Sequence, residues 1–437
     1  MPDNPYIVKF DLKQHTPLIH FQHEQDTATL RASELKPKLD KYILDKLGGW
    51  NDHNIPISWR VGKNKAQNDQ QSLDYLVSIE SDPTSLDQDI TGSIEKRYID
   101  RKERSQFEKF PTFFGLMGDE NAGSKKFVLY TKNQVKLTFT NSELRSKVQE
   151  HISDFFMHHN FGTRQGKGFG SFYPENSSNI KTRQLKYWFD VDTRQLPPPR
   201  QKYTDTRTIR FRQYYRLFEV LSIFYSSLRS GINQKWGPNP IYFKSMMFMY
   251  AKYRMRAQWD KKTIKDDLFP TFLRKQKVYH PHSELLRYSS PTKYLLRDLL
   301  GLASRSEWFA EYDDTLTTVS VDGTIDRYKS PIFFKPLEDE ANPGLFRVFF
   351  EGNQVSLSEI YDKEFEIANN TGKKTRLKTP PSSSFKIDEY LRYAFATDLE
   401  RHIETRNPGY SADKELLKNI YNQIRTNAHI TLRTTYP

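Results

Sequence analysis

Apolar and polar residues alternate at the start of the chain, where YIVKFDLKQHTPLIHF predicts a β-strand. Apolar residues then recur at helical spacing over 30–49, so we expect a helix that Ser33 caps and that the glycine pair 48–49 ends. Two strands, KFVLY and VKLTFT, follow as a pair joined by TKNQ. Thr140 and Glu143 form a capping box that opens a second helix, ELRSKVQEHISDFFMHH.

The same pattern predicts two domains. Residues 51–110 are polar and weakly periodic, with YLVSI as the one convincing strand, and we interpret them as an insertion. The prolines at 197–199 interrupt regular structure and predict a domain boundary. Strand, helix, strands, helix, strand is a ferredoxin-like order. We expect an α+β protein of two ferredoxin-like (RRM-like) domains with helical insertions: an N-terminal domain over 1–196, and a divergent C-terminal domain over 200–437 that is helix-rich and basic in 200–300.

The second half begins with a long apolar helix over 208–229, which Gly231 closes, and further helices fill 242–301. IDRYKSPIFFKPL and LFRVFFEG are strand-like, whereas KKTRLKTPPSSS is typical of a flexible basic connector. The terminal part, 387–425, is helical again.

Composition excludes several classes of protein. With 36% hydrophobic and 14% aromatic residues the chain is not disordered. No run approaches the roughly 18 apolar residues of a membrane span, and MPDNPYIVKFDL lacks the order of a signal peptide. We therefore expect a soluble, cytoplasmic protein with no membrane contact. The absence of cysteine excludes disulfides, thiolate zinc sites and cysteine nucleophiles.

The positive charge is concentrated in one segment. The chain has 67 Lys and Arg against 54 Asp and Glu, and residues 181–300 hold 25 of the first against 9 of the second. Here KWGPNPIYFKSMMFMYAKYRMRAQWDKK and FLRKQKVYH interleave cations with aromatic rings, a mixture that neutralises phosphates and stacks on bases. The pattern favours nucleic-acid binding; the alternative is a helical layer with core rings and solvated charges.

A glycine-rich loop, FGTRQGKGFG, lies between the second helix and a strand. Such a loop exposes N–H groups and permits positive φ, so a phosphodiester backbone can approach while its two cations neutralise charge. A Walker loop or a dinucleotide fingerprint would precede a helix, which excludes both. KGFG is similar to the first RNA-recognition signature, but that signature strand follows another strand. A purely structural turn is the alternative.

Taken together, these motifs resemble the RAMP superfamily of CRISPR effector proteins. The pieces are TPL at 16–18, LRASELK at 30–36 and the glycine loop at 162–170. LGL at 300–302 and RYKSPIFFK at 327–335 resemble elements of the large two-domain RAMP subunit of type III-B (Cmr) complexes. The order of the pieces carries the resemblance more than any one of them.

The resemblance implies an RNA-binding structural subunit that works with other CRISPR effector subunits in antiviral defence and holds crRNA, target single-stranded RNA or both. Base pairing with the guide would supply specificity. No cofactor or metal is expected. We expect RNA contact in the loop and, by the same resemblance, at the start of the first helix: Arg164, Gly166, Lys167, Gly168, Gly170, Arg31 and Lys36.

A basic stripe on the long helix is a further candidate for phosphate contact: Arg207, Arg210, Arg212 and Arg216. Its alternative is a set of salt bridges to the acidic residues of the 80s and 90s.

Two other functions stay open. RAMP subunits that cut RNA carry an aspartate in the loop after the first strand, and here that loop contains His20, His23, Glu24 and Asp26. The alternative is therefore an endoribonuclease that cleaves single-stranded RNA with a histidine as acid or base. Against it, the large RAMP subunit that the chain resembles is not the subunit that cuts. The third possibility is a scaffold whose basic segment docks an acidic protein.

Overall fold

The structure is a computed structural model in which two compact units are distinguished. The first comprises Met1–Glu219 with Phe334–Phe350, and the second Val220–Phe333 with Glu351–Pro437. The residues that the structure describes are 4–19, 29–50, 55–61, 72–88, 90, 92–94, 125–175, 185–196, 209–234, 241–269, 288–303, 308–311, 314–399, 403–405 and 412–433.

The elements are numbered in chain order over these residues. The strands are β1 Ile7–Gln14, β2 Leu18–Ile19, β3 Tyr75–Ser81, β4 Gly92–Ile94, β5 Lys125–Val128, β6 Asn133–Phe139, β7 Phe172–Pro174, β8 Tyr187–Asp192, β9 Ile232–Gln234, β10 Ile241–Phe243, β11 Leu302–Ala303, β12 Trp308–Glu311, β13 Asp314–Ser320, β14 Arg327–Tyr328, β15 Ile332–Glu338, β16 Leu345–Gly352, β17 Glu364–Asn369, β18 Lys374–Lys378 and β19 Ile403–Thr405. The α-helices are α1 Ala32–Lys46, α2 Ser142–His158, α3 Ile209–Arg229, α4 Met246–Tyr250, α5 Asp260–Leu268, α6 Ile387–Ala396 and α7 Ala412–Asn427.

The first unit is built on a four-stranded antiparallel sheet in the order β3, β6, β1, β7. Alternation along β1 buries Val8 and Leu12, and helical spacing along α2 buries Val148, Ile152 and Phe156 in the same core. β3 pairs with β6 over its whole length. The strand YLVSI therefore belongs to the sheet, and the insertion predicted over 51–110 was drawn too wide.

The predicted hairpin of KFVLY and VKLTFT is wrong. β5 pairs with β2 and β4 in a separate sheet, whereas β6 pairs with β1 and β3.

Two buried side-chain amides, those of Gln14 and Asn133, form hydrogen bonds where the chain passes from one sheet to the other. Gln14 donates to the Val128 carbonyl at 2.6 Å and accepts from the Tyr130 N–H at 3.0 Å, and Asn133 donates to the Leu12 carbonyl at 3.1 Å. Such long-range hydrogen bonds are invisible in local periodicity.

Both predicted helix starts are displaced by one or two residues. Arg31, rather than Ser33, stands at the start of α1 and makes no side-chain cap hydrogen bond. Asn141, rather than Thr140, caps α2 and accepts the N–H groups of Glu143 and Leu144 at 2.8 and 3.0 Å. An asparagine oxygen satisfies the first-turn donors as well as a threonine does, so the sequence offered two adjacent candidates.

Residues 334–350 return to the first unit because their strands pair with it. The sheet order is β15, β16, β8, and β16 lies antiparallel to β8 from Leu345 opposite Asp192 to Phe350 opposite Tyr187. The predicted N-terminal domain over 1–196 does not include these residues. The proline triplet at which the boundary was placed lies outside the described part of the chain.

The second unit contains a four-stranded sheet in the order β12, β13, β17, β18, and a three-stranded sheet in the order β19, β10, β9. The prediction of a flexible connector at KKTRLKTPPSSS is wrong, because β18 forms the sheet edge and buries Leu377 opposite Phe365. The long helix is confirmed as α3, and Gly231 follows it at φ 81°. No helix in the described ranges is long and apolar enough to span a membrane.

A buried ion pair anchors α5 in the second unit. Asp260 is fully buried and accepts the N–H groups of Leu296 and Arg297 at 3.1 and 2.9 Å. The Arg297 guanidinium, itself buried, donates to the same carboxylate at 3.2 Å. Removal of the carboxylate would leave this charge without its counter-ion.

We predict that Asp260→Ala destabilises the protein by roughly 3 kcal/mol or more, because a buried guanidinium loses its counter-charge. The measurement is urea unfolding followed by circular dichroism. Asp266→Ala, an exposed position on the same helix, is the matched control and should stay within about 0.5 kcal/mol of the wild type. Equal stability of the two variants would contradict the prediction.

Candidate functional site

The glycine-rich loop connects α2 to β7 by a compact turn. Its backbone passes through the left-handed region at Gly162, Arg164, Gly168 and Gly170, with φ of 74°, 56°, 88° and 61°. A single 3₁₀ turn, Gln165–Lys167, lies between the second and third of these. Arg164 is the non-glycine member of the set, and an L-residue held there costs about 1 kcal/mol.

Residues 16–19 form the base of the loop. The Thr16 hydroxyl donates to the Gly168 carbonyl at 2.7 Å and accepts from the Ser171 N–H at 2.9 Å. The Gly170 N–H donates to the Pro17 carbonyl at 2.9 Å. A Cβ at Gly162 or at Gly170 would lie 2.5 or 2.9 Å from Cδ1 of the buried Leu18. Leu18 of the TPL motif therefore packs directly against Gly162 and Gly170, where a larger residue would not fit.

The start of α1 also reaches the loop. Glu34 accepts the Gly162 N–H at 2.8 Å. Lys38, one turn further along, donates to Glu34 at 3.0 Å, to the Asn160 carbonyl at 3.2 Å and to the Gln165 side chain at 3.1 Å. The three motifs of the first half thus converge in space, although more than 100 residues separate the glycine loop from the other two along the chain.

A buried lysine that the sequence analysis did not assign lies beneath the loop. Lys335 is fully buried and donates to the His159 carbonyl at 2.9 Å, to Asn160 Oδ1 at 3.1 Å and to the Phe172 carbonyl at 2.7 Å. Burial lowers its pKa well below the usual value. One signal for it was present in the sequence: a single lysine within the apolar run PIFFKPL predicts a buried, hydrogen-bonded ammonium.

Most N–H groups of the loop's main chain donate hydrogen bonds within the protein. N–H donors with partners inside the molecule belong to Gly162, Thr163, Lys167, Gly168, Gly170 and Ser171. The expectation that the glycines expose a row of N–H groups to phosphate is therefore wrong for these positions. Their role in the structure is to allow positive φ and close packing.

The side of the loop that faces outward carries charge. Lys167 is exposed, and Arg164 and Gly166 are half-buried. A Cβ built on Gly166 meets nothing within 4 Å, in contrast to Gly162 and Gly170. Of the predicted RNA-contact residues in the loop, Arg164, Gly166 and Lys167 lie on the accessible turn, whereas Gly168 and Gly170 are buried.

The similarity of KGFG to an RNA-recognition signature does not extend to its aromatic residue. Phe169 is fully buried, and its ring stacks on Phe218 with centroids 3.7 Å apart. A ring in this position contributes to the core of the first unit and presents no face to a base.

The two predicted contacts on α1 have different surroundings. Arg31 is half-buried at the start of the helix. Lys36 donates to Asp40 at 2.7 Å, to Ser72 at 3.0 Å and to the Leu73 carbonyl at 2.9 Å. Because these bonds tie α1 to the entry of β3, Lys36 has a structural role whether or not it also contacts RNA.

Two of the arginines in the basic stripe on α3 form ion pairs, and a third is exposed. Arg210 pairs with Glu338 through both carboxylate oxygens, and Arg216 pairs with Glu219. Arg212 is exposed. Glu338 and Glu219 lie outside the 80s and 90s that the alternative named. Asp87 does belong to that group: although burial opposes the shift, the ion pair with Glu338 and then the charge of Asp87 raise the pKa of Arg210. Arg207 lies outside the described residues.

The two histidines next to the loop are not part of a metal-binding group among the described residues. His158 and His159 each place Nδ1 near the carbonyl four residues earlier, at 2.7 and 2.9 Å. The described residues contain no group of three or more side chains suited to a metal ion. The nuclease candidates His20, His23, Glu24 and Asp26 lie outside the part of the chain that is described.

We predict that Gly170→Ala and Gly166→Ala differ strongly in stability. A Cβ at Gly170 would lie 2.1 Å from the Phe161 carbonyl oxygen, at a φ of 61°. Backbone cannot yield as a side chain can, so we expect a loss of about 2 kcal/mol or more. Gly166→Ala should unfold like the wild type. Urea unfolding of both variants tests this, and equal midpoints would refute it.

We also predict an acid-dependent loss of stability that His159 helps to cause. Burial lowers its pKa from 6.5 to about 4, so below pH 6.5 the unfolded chain takes up this proton and the folded chain does not. The free energy of unfolding is therefore highest above pH 6.5 and falls toward pH 4. In urea unfolding across this range, His159→Gln should remove about 2 kcal/mol of that fall; an unchanged slope would contradict the assignment.

Comparison with known proteins identifies the family. The model of the Cmr1 N-terminal domain matches residues 5–232, and that of the Cmr1 C-terminal domain matches residues 242–425. No curated protein matches the chain. Since the first match alone covers more than half of the sequence and the second covers most of the rest, the chain belongs to the Cmr1 family, a family of subunits of type III-B Cmr effector complexes.

Proposed function

We propose that the protein holds single-stranded RNA in its Cmr complex, and that the outer turn of the glycine-rich loop is one place of contact. The RNA is guide, target or both, and sequence specificity comes from pairing between the two strands. The protein contributes charge at a defined position and needs no reading of base edges. Its role in this proposal is a holding one, without chemistry of its own.

One observation carries the proposal: two cations lie on a turn whose backbone conformation is energetically unfavourable. Arg164 is kept at positive φ, and Lys167 is exposed three residues later, on a turn that residues 16–19, α1 and Lys335 hold from below. Strain of this kind persists where the surroundings over-determine it, which is common at binding sites. A preorganised pair of charges loses little entropy when it meets phosphates.

The topology of the first unit supports a finer fold assignment. In chain order, β1, α1, β3, β6, α2 and β7 give strand, helix, strand, strand, helix, strand, and the four strands form one antiparallel sheet. We infer that this unit is a ferredoxin-like domain, as RAMP proteins are expected to have. A corresponding copy in the second unit stays a prediction, as does membership of the RAMP superfamily.

The test is a fluorescence-anisotropy titration of labelled single-stranded RNA at several salt concentrations, with each sample checked on a denaturing gel. For Arg164→Gln with Lys167→Gln we expect weaker binding to every RNA sequence. Each lost phosphate contact lowers the slope of log K against log salt by about 0.7 for single strands, so the double variant should lose about 1.4.

A matched control removes the same charge from another surface of the first unit. Lys9→Gln with Lys136→Gln changes two cations that lie opposite each other on β1 and β6. This control should keep the wild-type slope. If both double variants lose the same slope, the effect is one of net charge, and the loop is a structural turn. Shortened RNA on the gel would instead favour the endoribonuclease alternative.

A further inference from the structure

A second cluster of cations and aromatic rings lies in the second unit. One turn of π-helix, Ala251–Met255, follows α4, and Arg256 comes next in the left-handed region at φ 51°. The N–H groups of Arg256 and Ala257 both donate to the Ala251 carbonyl and close the turn. π turns and left-handed residues other than glycine are concentrated at functional sites. Here the turn carries Lys252, Tyr253, Arg254 and Arg256.

Two tyrosine rings flank one ammonium group at this turn. Lys252 Nζ lies 4.9 Å from the ring centre of Tyr253 and 5.7 Å from that of Tyr288. Both tyrosines are half-buried, so neither residue is closed off from the surface. Their arrangement differs from that of Phe169 in the first unit, whose ring is fully buried.

Hydrogen bonds hold the two segments that carry these rings together. Gln258 donates its N–H to the Thr292 carbonyl at 2.7 Å, and its side-chain oxygen accepts the Ser290 N–H at 2.9 Å. The Ser290 hydroxyl donates to the Arg256 carbonyl at 2.5 Å, and Lys262 donates to the Tyr288 carbonyl at 3.1 Å. The two segments that carry the rings are thus joined before any ligand arrives, which reduces the entropy lost on binding.

Further positive charges lie on the same turn, and one comes from the end of the described chain. Arg254 and Arg256 are exposed. The guanidinium groups of Arg254 and Arg433 lie over the same ring, that of Tyr393, at 5.8 and 4.8 Å from its centre. Partial burial and then the charge of Arg254 lower the pKa of Arg433. Like charges held this close are relieved by a polyanion, so the cluster favours a phosphate-bearing ligand.

We propose that this cluster is a stacking platform for single-stranded RNA. We call it the tyrosine platform and define it by Lys252, Tyr253, Arg254, Arg256, Tyr288 and Arg433. Tyr253 and Tyr288 each offer a ring face to a base, and the cations neutralise the adjoining phosphates. The inference rests on the proposed function and adds to it a contact that depends on bases, whereas the loop contact depends on charge alone.

The experiment separates bases from phosphates. Tyr253→Leu with Tyr288→Leu is titrated by fluorescence anisotropy with a short oligouridine and with an abasic ribose-phosphate oligomer of the same length. We expect the variant to bind oligouridine about tenfold more weakly or worse, and to bind the abasic oligomer like the wild type. Tyr6→Leu, which changes an exposed tyrosine of the first unit, is the matched control and should leave both affinities unchanged.

A second measurement uses the unmodified protein, so it does not depend on the folding of a variant. Irradiation of the complex with 4-thiouridine-substituted RNA, followed by peptide mapping, should give adducts at Tyr253 or Tyr288. Adducts confined to other segments would overturn the proposal. So would an equal loss of affinity of Tyr253→Leu with Tyr288→Leu for the oligouridine and for the abasic oligomer.

The two proposals fail in different ways. If the tyrosine variant binds both oligomers like the wild type while Arg164→Gln with Lys167→Gln still lowers the salt slope, the tyrosine platform is wrong and the proposed function stands. If the wild-type protein binds neither oligomer at low salt, both proposals are wrong. Binding to an acidic polypeptide that equals binding to oligouridine would also overturn the platform and favour a protein partner.

Discussion

The buried amine of Lys335 holds together the two ends of the glycine-rich loop in the first unit. Its three acceptors are neutral oxygens, and they belong to both stems of the loop: His159 and Asn160 where α2 ends, and Phe172 where β7 begins. Full burial of a lysine is costly unless its donors are satisfied, and this geometry satisfies all three. The loop therefore closes around a buried amine, and β15 supplies that amine from a distant part of the sequence.

Around Lys335, different residues of the loop are packed inside and placed on the outer turn. Gly162 and Gly170 provide close packing on Leu18, so they cannot be replaced without displacing backbone. Arg164 and Lys167 occupy the outer turn, where Lys167 is exposed and a Cβ built on Gly166 meets nothing within 4 Å. In the second unit, Arg256 also adopts positive φ at the end of a turn that carries cations. In both places an arginine occupies the strained backbone position.

Local patterns predicted the elements better than their partners. The alternation of β1, the periodicity of α1 and α2 and the apolar length of α3 were all visible in the sequence, because each is a property of neighbouring residues. The pairing of β5 with β2, the membership of β3 in the main sheet and the edge position of β18 were not. Each depends on a strand far away in the chain, and short segments such as KKTRL have no pattern strong enough to reveal such a partner.

The site shows the same limit at the level of single residues. The sequence by itself determined the family motifs, the concentration of basic and aromatic residues and the position of a glycine loop between a helix and a strand. Tertiary structure alone decided that Gly170 is a packing residue while Gly166 is open, that Lys36 and Arg210 are engaged in ion pairs, and that Lys335 lies beneath the loop. The physical reason is that exposure, hydrogen-bond partners and desolvation are properties of the surroundings, and residues distant in sequence supply those surroundings.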